Sequence, residues 1–358
     1  MKLNKICQDF NLKGELLDYE LITSGNINLT YKIYLQDNGE TKQYLLQKIN
    51  RNVFNNPEKI MENIKNVNDY IDSRHKCEDL FVLHFLHSVK GEPFVIDEDN
   101  GFWRACKFFN CVCYDSPSDL GVIEEAGRAF GQFQYLLNGF DAENLFVIIP
   151  NFHNTKKRID DLEKTLLDAP SDKIAVAKGE IEYLLSNKEL GLTLSMLLND
   201  DKLPLRVTHN DTKCNNVIFD KQTLKALAVI DLDTIMPGLC AYDFGDGARS
   251  ICSTTDEDEQ NLSLVSFDLD RFERFSKGYL KYLKSTLTDL EKQTLPLSVF
   301  VMTYELASRF LEDYLKGNVY FKVNNEDHNL HRARCQIALC KDIISKLSQM
   351  ENILKKYI

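Results

Sequence analysis

The chain has 358 residues, with 54 acidic and 43 basic side chains and a formal net charge of −11. This length suits two domains of ordinary size, and the content of 44% hydrophobic and 27% charged residues is typical of a globular protein rather than a disordered or fibrous one. The acidic balance argues against nucleic acid as a partner, because that binding depends on clustered Lys and Arg. No apolar run is long enough to span a membrane, and the polar start lacks the apolar stretch of a signal peptide, so we expect a cytoplasmic protein.

The first hundred residues alternate β-type runs with polar turns. Five runs rich in aliphatic and aromatic residues predict strands of an antiparallel sheet: residues 19–23, 31–35, 44–49, 81–86 and 102–109. One helix interrupts them after Asn56, because apolar residues recur at helical spacing from Ile60 to Ile71.

Helical patterns dominate after about Cys113. Apolar residues from Val122 to Leu137 lie on one helical face. Further helices are predicted near 158–186, 266–285, 296–316 and 330–355. The exception is a β-hairpin, whose strands at 216–219 and 226–232 flank the turn 220–223.

The residues that carry chemistry surround this hairpin. His209-x-Asp211 is followed by Asn216, and Asp231-x-Asp233 ends the second strand. Phosphoryl transfer needs a carboxylate that orients and deprotonates the attacking hydroxyl, and oxygen ligands that fix Mg²⁺ on the phosphates. Two carboxylates and an amide at this spacing supply those groups, since Mg²⁺ also keeps waters and phosphate oxygens.

These two motifs resemble the H-x-D-x-x-x-x-N and D-x-[DE] signature of the aminoglycoside phosphotransferase and choline kinase family, small-molecule relatives of protein kinases. Longer strings resemble bacterial N-acetylhexosamine 1-kinases over almost the whole chain: 25–28, 205–213, 230–238, 243–246, 309–311, 317–321 and 326–330. The resemblance implies an α+β, protein-kinase-like fold of two lobes. The small N-terminal lobe, residues 1–111, would hold an antiparallel sheet and bind nucleotide, and the larger, mainly helical C-terminal lobe, residues 112–358, would bind the sugar.

The resemblance also implies a reaction, in which the γ-phosphoryl group of ATP passes to the anomeric (C1) hydroxyl of N-acetylglucosamine or N-acetylgalactosamine. Asp211 would be the general base that accepts the hydroxyl proton and so contacts the substrate. Asn216 and Asp231 would hold Mg²⁺, with Asp233 as a helper.

The same resemblance implies that Arg309 and Tyr320 contact the sugar. Arg309 stands in an otherwise apolar stretch, where a charge needs a partner. From the residues alone, the alternative is a salt bridge to Glu305, Glu312 or Asp313.

Three further polar residues are interpreted as supports. The family places the histidine equivalent to His209 behind the catalytic loop, and Asp243 and Asp246 are expected to brace that loop. The D-F-G string at 243–245 copies a metal-binding motif of protein kinases. It lies too far along the chain, so the strand-ending Asp231 is the predicted metal ligand.

The nucleotide side carries weaker signals. Backbone N–H groups of a glycine-containing turn can bind phosphates, which makes Gly25, Asn26 and Asn28 candidates. The strand pattern places Gln47 where kinases carry their ATP-binding lysine, and Lys48 on the opposite face. Either Gln47 makes a neutral contact, or the strand is locally shifted.

Two other functions stay open. A kinase of another small alcohol, such as choline, an aminoglycoside or a different sugar, would carry the same motifs. Residues 206–249 hold five basic and six acidic side chains, so no excess of acid marks a site for a cationic substrate. A non-catalytic pseudokinase would lack the base or a metal ligand, and these residues are intact. We expect a monomer whose partners are ATP, Mg²⁺ and a sugar, with adenine bound at the lobe junction near 109–112.

Overall fold

The N-terminal lobe is built on an antiparallel sheet. In the computed structural model, which describes residues 2–23, 27–74 and 80–358, five strands lie in the order β1-β2-β3-β5-β4: β1 (Glu15–Ile22), β2 (Leu29–Asp37), β3 (Glu40–Ile49), β4 (Val95–Ile96) and β5 (Phe102–Lys107). Alternation of residues puts the buried Ile33, Leu35 and Leu46 on the outer face, where they pack with helix α1 (Lys2–Asp9). The predicted sheet is therefore confirmed.

The strand predicted over residues 81–86 is wrong. This segment passes from one lobe to the other: the Phe81 N–H donates to the Leu227 carbonyl in the C-terminal lobe, and the Leu86 N–H donates to the Ala105 carbonyl on β5. Because its backbone partners change along its length, it cannot build a ladder with either one. The fifth strand of the sheet is β4 instead.

Helix α2 (Pro57–Arg74), which the sequence predicts, binds the two lobes together. The Asn63 amide donates to the carbonyls of Phe146 and Ile235, each at 2.9 Å, and accepts from the Phe146 N–H. Its apolar residues join the large core of the C-terminal lobe rather than the small core under α1: Ile60, Ile64, Val67 and Ile71. Helix α2 therefore fixes the position of the chain that follows Asp233.

The C-terminal lobe is mainly helical, as predicted. Its helices are α3 (Leu120–Leu136), α4 (Thr155–Asp168), α5 (Ser171–Val176), α6 (Lys178–Ser186), α7 (Lys188–Gly191), α8 (Thr193–Asn199), α9 (Cys240–Ile251), α10 (Leu269–Leu283), α11 (Asp289–Leu315) and α12 (His328–Leu354). The helix predicted near 158–186 is interrupted at Pro170, which has no N–H to continue it. Helices α3 and α10 approach so closely that a Cβ on Gly131 would lie 2.0 Å from the Tyr279 carbonyl oxygen. Within the described residues, no helix is both long and apolar enough to cross a membrane.

The strands of two small sheets flank the predicted catalytic motifs along the chain. Strand β7 (Arg206–Thr208) pairs with β10 (Met236–Gly238), and the predicted hairpin is formed by β8 (Val217–Asp220) and β9 (Ala226–Val229). Strand β6 (Cys111–Val112) joins the hairpin rather than the first sheet. The chain thus changes sheet between 107 and 111, while the lobe boundary at 111/112 stays a prediction.

Candidate active site

The loop of residues 209–216 between β7 and β8, named the catalytic loop because it carries the predicted base Asp211, is held from behind by helix α9. Asp243 accepts the N–H groups of His209 and Asn210 at 2.9 and 2.8 Å, and Asp246 accepts the Thr212 N–H at 3.0 Å. Asn210 takes a left-handed conformation with φ of 67°, a strain that the surrounding hydrogen bonds maintain. The prediction that both acids brace the loop is confirmed.

His209 is a buried support, as predicted. Its Nδ1 accepts the Asp211 N–H at 3.2 Å, and its Nε2 lies 2.9 Å from the Ile230 carbonyl oxygen. This pair of contacts requires a neutral ring with the proton on Nε2. Both nitrogens are occupied, so the ring ties the catalytic loop to the residue before Asp231.

Asp211 and Asn216 are brought together at the surface of this loop. The Asp211 carboxylate is one-third exposed (33%), and its Oδ2 accepts from Asn216 Nδ2 at 3.1 Å. The same Nδ2 donates to the Asp211 carbonyl at 2.8 Å, which leaves Asn216 Oδ1 as the oxygen for a metal. Lys213 Nζ lies 3.3 Å from Asp211 Oδ1, a contact to which the sequence analysis gave no role.

Asp231 follows β9 in a left-handed conformation, with φ of 59°. Asp231 is exposed to solvent, although other protein atoms surround its side chain. No described residue donates a hydrogen bond to its carboxylate. Burial first, and then the negative charge of Asp233, raise the pKa of Asp231 to about 6. An unpartnered carboxylate and the amide oxygen of Asn216 are hard donors that fit Mg²⁺.

Asp233 joins the lobes, and both of its carboxylate oxygens are engaged. Oδ2 accepts from Asn28 Nδ2 at 2.8 Å, and Oδ1 forms an ion pair with the Arg104 guanidinium. Arg104 Nε also donates to Gln47 Oε1 at 2.7 Å. The helper role of Asp233 at the metal stays a prediction, and both of its carboxylate oxygens already have partners.

The nucleotide-side candidates have different outcomes. Gly25 and Asn26 lie outside the described residues, whereas Asn28 lies at the cleft through its bond to Asp233. The pairing of β3 with β5 runs without a bulge, so the strand shift considered above is absent and Gln47 faces the cleft. Lys48 is not brought to the site: its ammonium lies 5.7 Å from the Trp103 ring on the outer face.

Arg309 is not in the salt bridge offered as the alternative. Glu305 contacts His153 and Thr155 instead, and Glu312 pairs with a lysine one turn later. Asp313 accepts the backbone N–H groups of residues 319–321 at 2.8 to 2.9 Å. Across the described ranges, the Arg309 guanidinium has no carboxylate partner.

Aromatic rings surround Arg309 instead. Its guanidinium carbon lies 5.8 Å from the ring centres of Phe152 and Tyr320 and 5.4 Å from that of Phe321. The loop that carries two of these rings turns at Gly317, whose φ of 90° favours glycine. Tyr320 is 68% exposed, so the structure brings both predicted sugar contacts to one open surface.

His153 connects this surface to the catalytic loop. Its Nδ1 lies 3.0 Å from Glu305 on α11, one turn before Arg309, and its Nε2 lies 3.0 Å from the Asn210 carbonyl oxygen. Both nitrogens face acceptors, so the ring is a protonated imidazolium. Burial opposes this charge, but Glu305 raises the pKa of His153 above its ordinary value. Arg309 is therefore held beside the loop that presents Asp211.

A second arginine, which the sequence analysis missed, lies near Arg309. Arg158 donates from Nη2 to the carbonyls of Asn151 and Phe152, while its Nε is buried without a described partner. Burial and the nearby charge of Arg309 lower the pKa of Arg158. Two guanidinium groups thus give the surface around Arg309 a local positive charge.

Comparison with known proteins gives a family match over most of the chain. Residues 18–275 match the phosphotransferase enzyme family, APH. Similar solved structures include a microcompartment-associated aminopropanol kinase (TM-score 0.63, 15% identity, 98% of each chain covered). Others are a spectinomycin phosphotransferase in complex with ADP and spectinomycin (0.60, 11%, 97% of this chain and 98% of that one) and a choline kinase from Cryptosporidium parvum Iowa II (0.60, 11%, 99% and 98%).

These identities establish the fold alone, and the kinase-like α+β architecture is confirmed. The family match covers well over half of the chain and includes both motifs, from His209 to Asp233. The chain belongs to the phosphotransferase enzyme family.

Proposed function

We propose that this phosphotransferase transfers the γ-phosphoryl group of ATP to the C1 hydroxyl of N-acetylhexosamines, giving the sugar 1-phosphate and ADP. The observation that carries the proposal is the unpaired Arg309 guanidinium beneath the exposed Tyr320, beside the loop of Asp211. A guanidinium donates to hydroxyl and acetamido oxygens, and an aromatic ring packs against the apolar face of a sugar. The long motif resemblance to N-acetylhexosamine 1-kinases supports the same substrate.

The proposed chemistry rests on Asp211. Its carboxylate accepts the proton of the C1 hydroxyl while the sugar oxygen forms a bond to the γ-phosphorus and the bond to the β-phosphate oxygen breaks. Lys213 orients this carboxylate through Oδ1, and Asn216 orients it through Oδ2. Asn216 Oδ1 and Asp231 would hold Mg²⁺, which supplies positive charge to the phosphate oxygens. The proton then leaves Asp211 for solvent.

Cationic alcohols are the alternative acceptors, and the charge of the acceptor side argues against them. Arg309 and Arg158 lie close enough for each charge to affect the other. A quaternary or primary ammonium group placed there would meet like charge, which costs binding energy in a partly desolvated site. A neutral amino sugar avoids that repulsion.

The direct test is a ³¹P NMR assay of the protein with MgATP and separate acceptors: both N-acetylhexosamine epimers, glucose, choline, aminopropanol and kanamycin. We expect the signal of a sugar 1-phosphate with one or both epimers. A phosphate ester on choline, aminopropanol or kanamycin alone would overturn the acceptor, and unreacted ATP in every tube would overturn the kinase. The Asp211→Asn variant provides the blank.

A further inference from the structure

A buried arginine lies where the N-terminal sheet meets the proposed metal site. Arg104 is paired with Gln47 across strands β5 and β3, and only 2% of its surface is exposed. Its guanidinium lies 4.7 Å from the Phe85 ring and forms an ion pair with Asp233. Burying even a paired guanidinium costs desolvation energy that the ion pair does not always repay, so we look for a reason beyond packing.

Gln47 occupies the place expected for a lysine but cannot supply its charge. Its Oε1 accepts from both Nε and Nη2 of Arg104, and its Nε2 donates to Thr30 Oγ1 at 3.0 Å. The amide is thus committed within the sheet. Its effect is to fix the plane of the neighbouring guanidinium, which makes Gln47 a positioning residue.

We propose that Arg104 is the cation that binds the nucleotide phosphates in this protein, and that Asp233 holds it ready. The inference rests on the proposed function, since it takes ATP as the phosphoryl donor. A guanidinium carries five N–H groups; Gln47 uses two and Asp233 one, which leaves one on each of Nη1 and Nη2. These two N–H groups can donate to phosphate oxygens.

The ion pair with Asp233 places Arg104 beside the proposed metal site. Asp233 lies two residues after Asp231, so the Arg104 guanidinium stands beside the segment that carries one of the two residues that would hold Mg²⁺. Lys48, the competing cation, lies against Trp103 on the other face of the sheet. Arginine on β5 thus replaces lysine on β3.

The test compares ADP with adenosine, because the two ligands differ only in the phosphates. Dissociation constants are measured by calorimetry in EDTA, without acceptor, for the parent, Arg104→Gln, Arg104→Lys, Lys48→Gln and the control Lys107→Gln, an exposed cation at the end of β5. We expect Arg104→Gln to weaken ADP binding about tenfold or more, as for loss of charged hydrogen bonds, with adenosine unchanged. Arg104→Lys should give an ADP affinity between those of the parent and Arg104→Gln, because it keeps the positive charge but loses the planar guanidinium.

Arg104→Gln alone leaves Asp233 as an unpaired buried charge, which could weaken adenosine binding as well. A double variant keeps the test decisive in that case. Arg104→Gln combined with Asp233→Asn removes one positive and one negative charge, so the local net charge is unchanged. We expect its ratio of ADP to adenosine affinity to stay about tenfold below that of the parent.

A parental ratio in the double variant would overturn the inference. So would a loss of ADP affinity in Lys48→Gln as large as in Arg104→Gln, or a parent that binds ADP no better than adenosine. Failure of the sugar acceptor in the NMR assay would leave this ratio untouched, so the two proposals fail separately.

Discussion

Two arginines flank the catalytic loop, and their environments are opposite. Arg104, on the proposed nucleotide side, is 2% exposed and is paired with Asp233. Arg309, on the proposed acceptor side, has aromatic neighbours and, in the part of the chain that the structure describes, no carboxylate partner. A paired guanidinium is held in place before its ligand arrives, while an unpaired one gains its partner from the ligand. On our proposal, the nucleotide side is thus assembled by the fold, and the acceptor side is completed by the acceptor.

The largest expected effect is on Asp211, the proposed general base. Asp211→Asn should lower kcat by about 10²–10⁴-fold, because a positioned general base contributes that much. The amide keeps the shape of the side chain, so the melting temperature should stay within a few degrees. Steady-state ADP release measures kcat, and Asp18→Asn, an exposed acid on β1, is the control. Turnover near the parental rate would contradict the role of Asp211.

The next effect concerns how the acceptor side is anchored. Glu305→Gln should lower the free energy of unfolding by about 3–5 kcal/mol, since it leaves the buried His153 imidazolium without its ion partner. His153→Gln combined with Glu305→Gln should cost little more than either change alone, because both remove one interaction. Urea unfolding of the three variants measures this coupling. Additive costs would mean that Glu305 is paired with another residue, for instance Arg309. That result would contradict the contrast between a paired Arg104 and an unpaired Arg309.

Arg309→Ala tests the unpaired arginine directly. No described carboxylate forms an ion pair with this guanidinium, so the fold should be retained while KM for the sugar rises about 10-fold to 100-fold, as expected for lost charged hydrogen bonds. KM for ATP should not change. Initial-rate kinetics with each substrate varied in turn separate the two constants, and Lys316→Ala, on the exposed end of the same helix, is the control. Unchanged kinetics for the sugar would remove Arg309 from the acceptor site.

The smallest expected effect is on the carboxylate that the metal would use. The pKa of Asp231 is 3.8 when unperturbed and about 6 in the fold, so its ionised form disfavours folding. In EDTA and at pH values above 6, Asp231→Asn should therefore have a higher melting temperature than the parent. This gain should shrink as the pH falls from 6 and should vanish below pH 4. Melting curves across this range test the sign. A gain that is equal at all pH values would show that the effect does not come from ionisation.

Sequence reasoning succeeded where partners are close along the chain. Asp211 and Asn216 are separated by five residues, and strand alternation, matched to the usual kinase strand, places Gln47 on the cleft face and Lys48 away from it. It missed contacts between distant segments: Arg104 with Asp233, 129 residues apart, and His153 with Glu305, 152 apart. A charge inside the apolar run 102–109 was the available signal for Arg104. For His153 and Arg158 no local pattern exists, because only the packing of α4 on α11 creates their environment.

The packing of helix α2 has a consequence for how the chain can be divided. Chain order assigns this helix to the N-terminal lobe, but its apolar face is covered by the core of the other lobe. Expressed alone, residues 1–111 would present that face to water as an exposed apolar stripe, which favours aggregation. We therefore expect the smaller lobe to depend on the larger one for its solubility, so that it could not be exchanged alone between relatives.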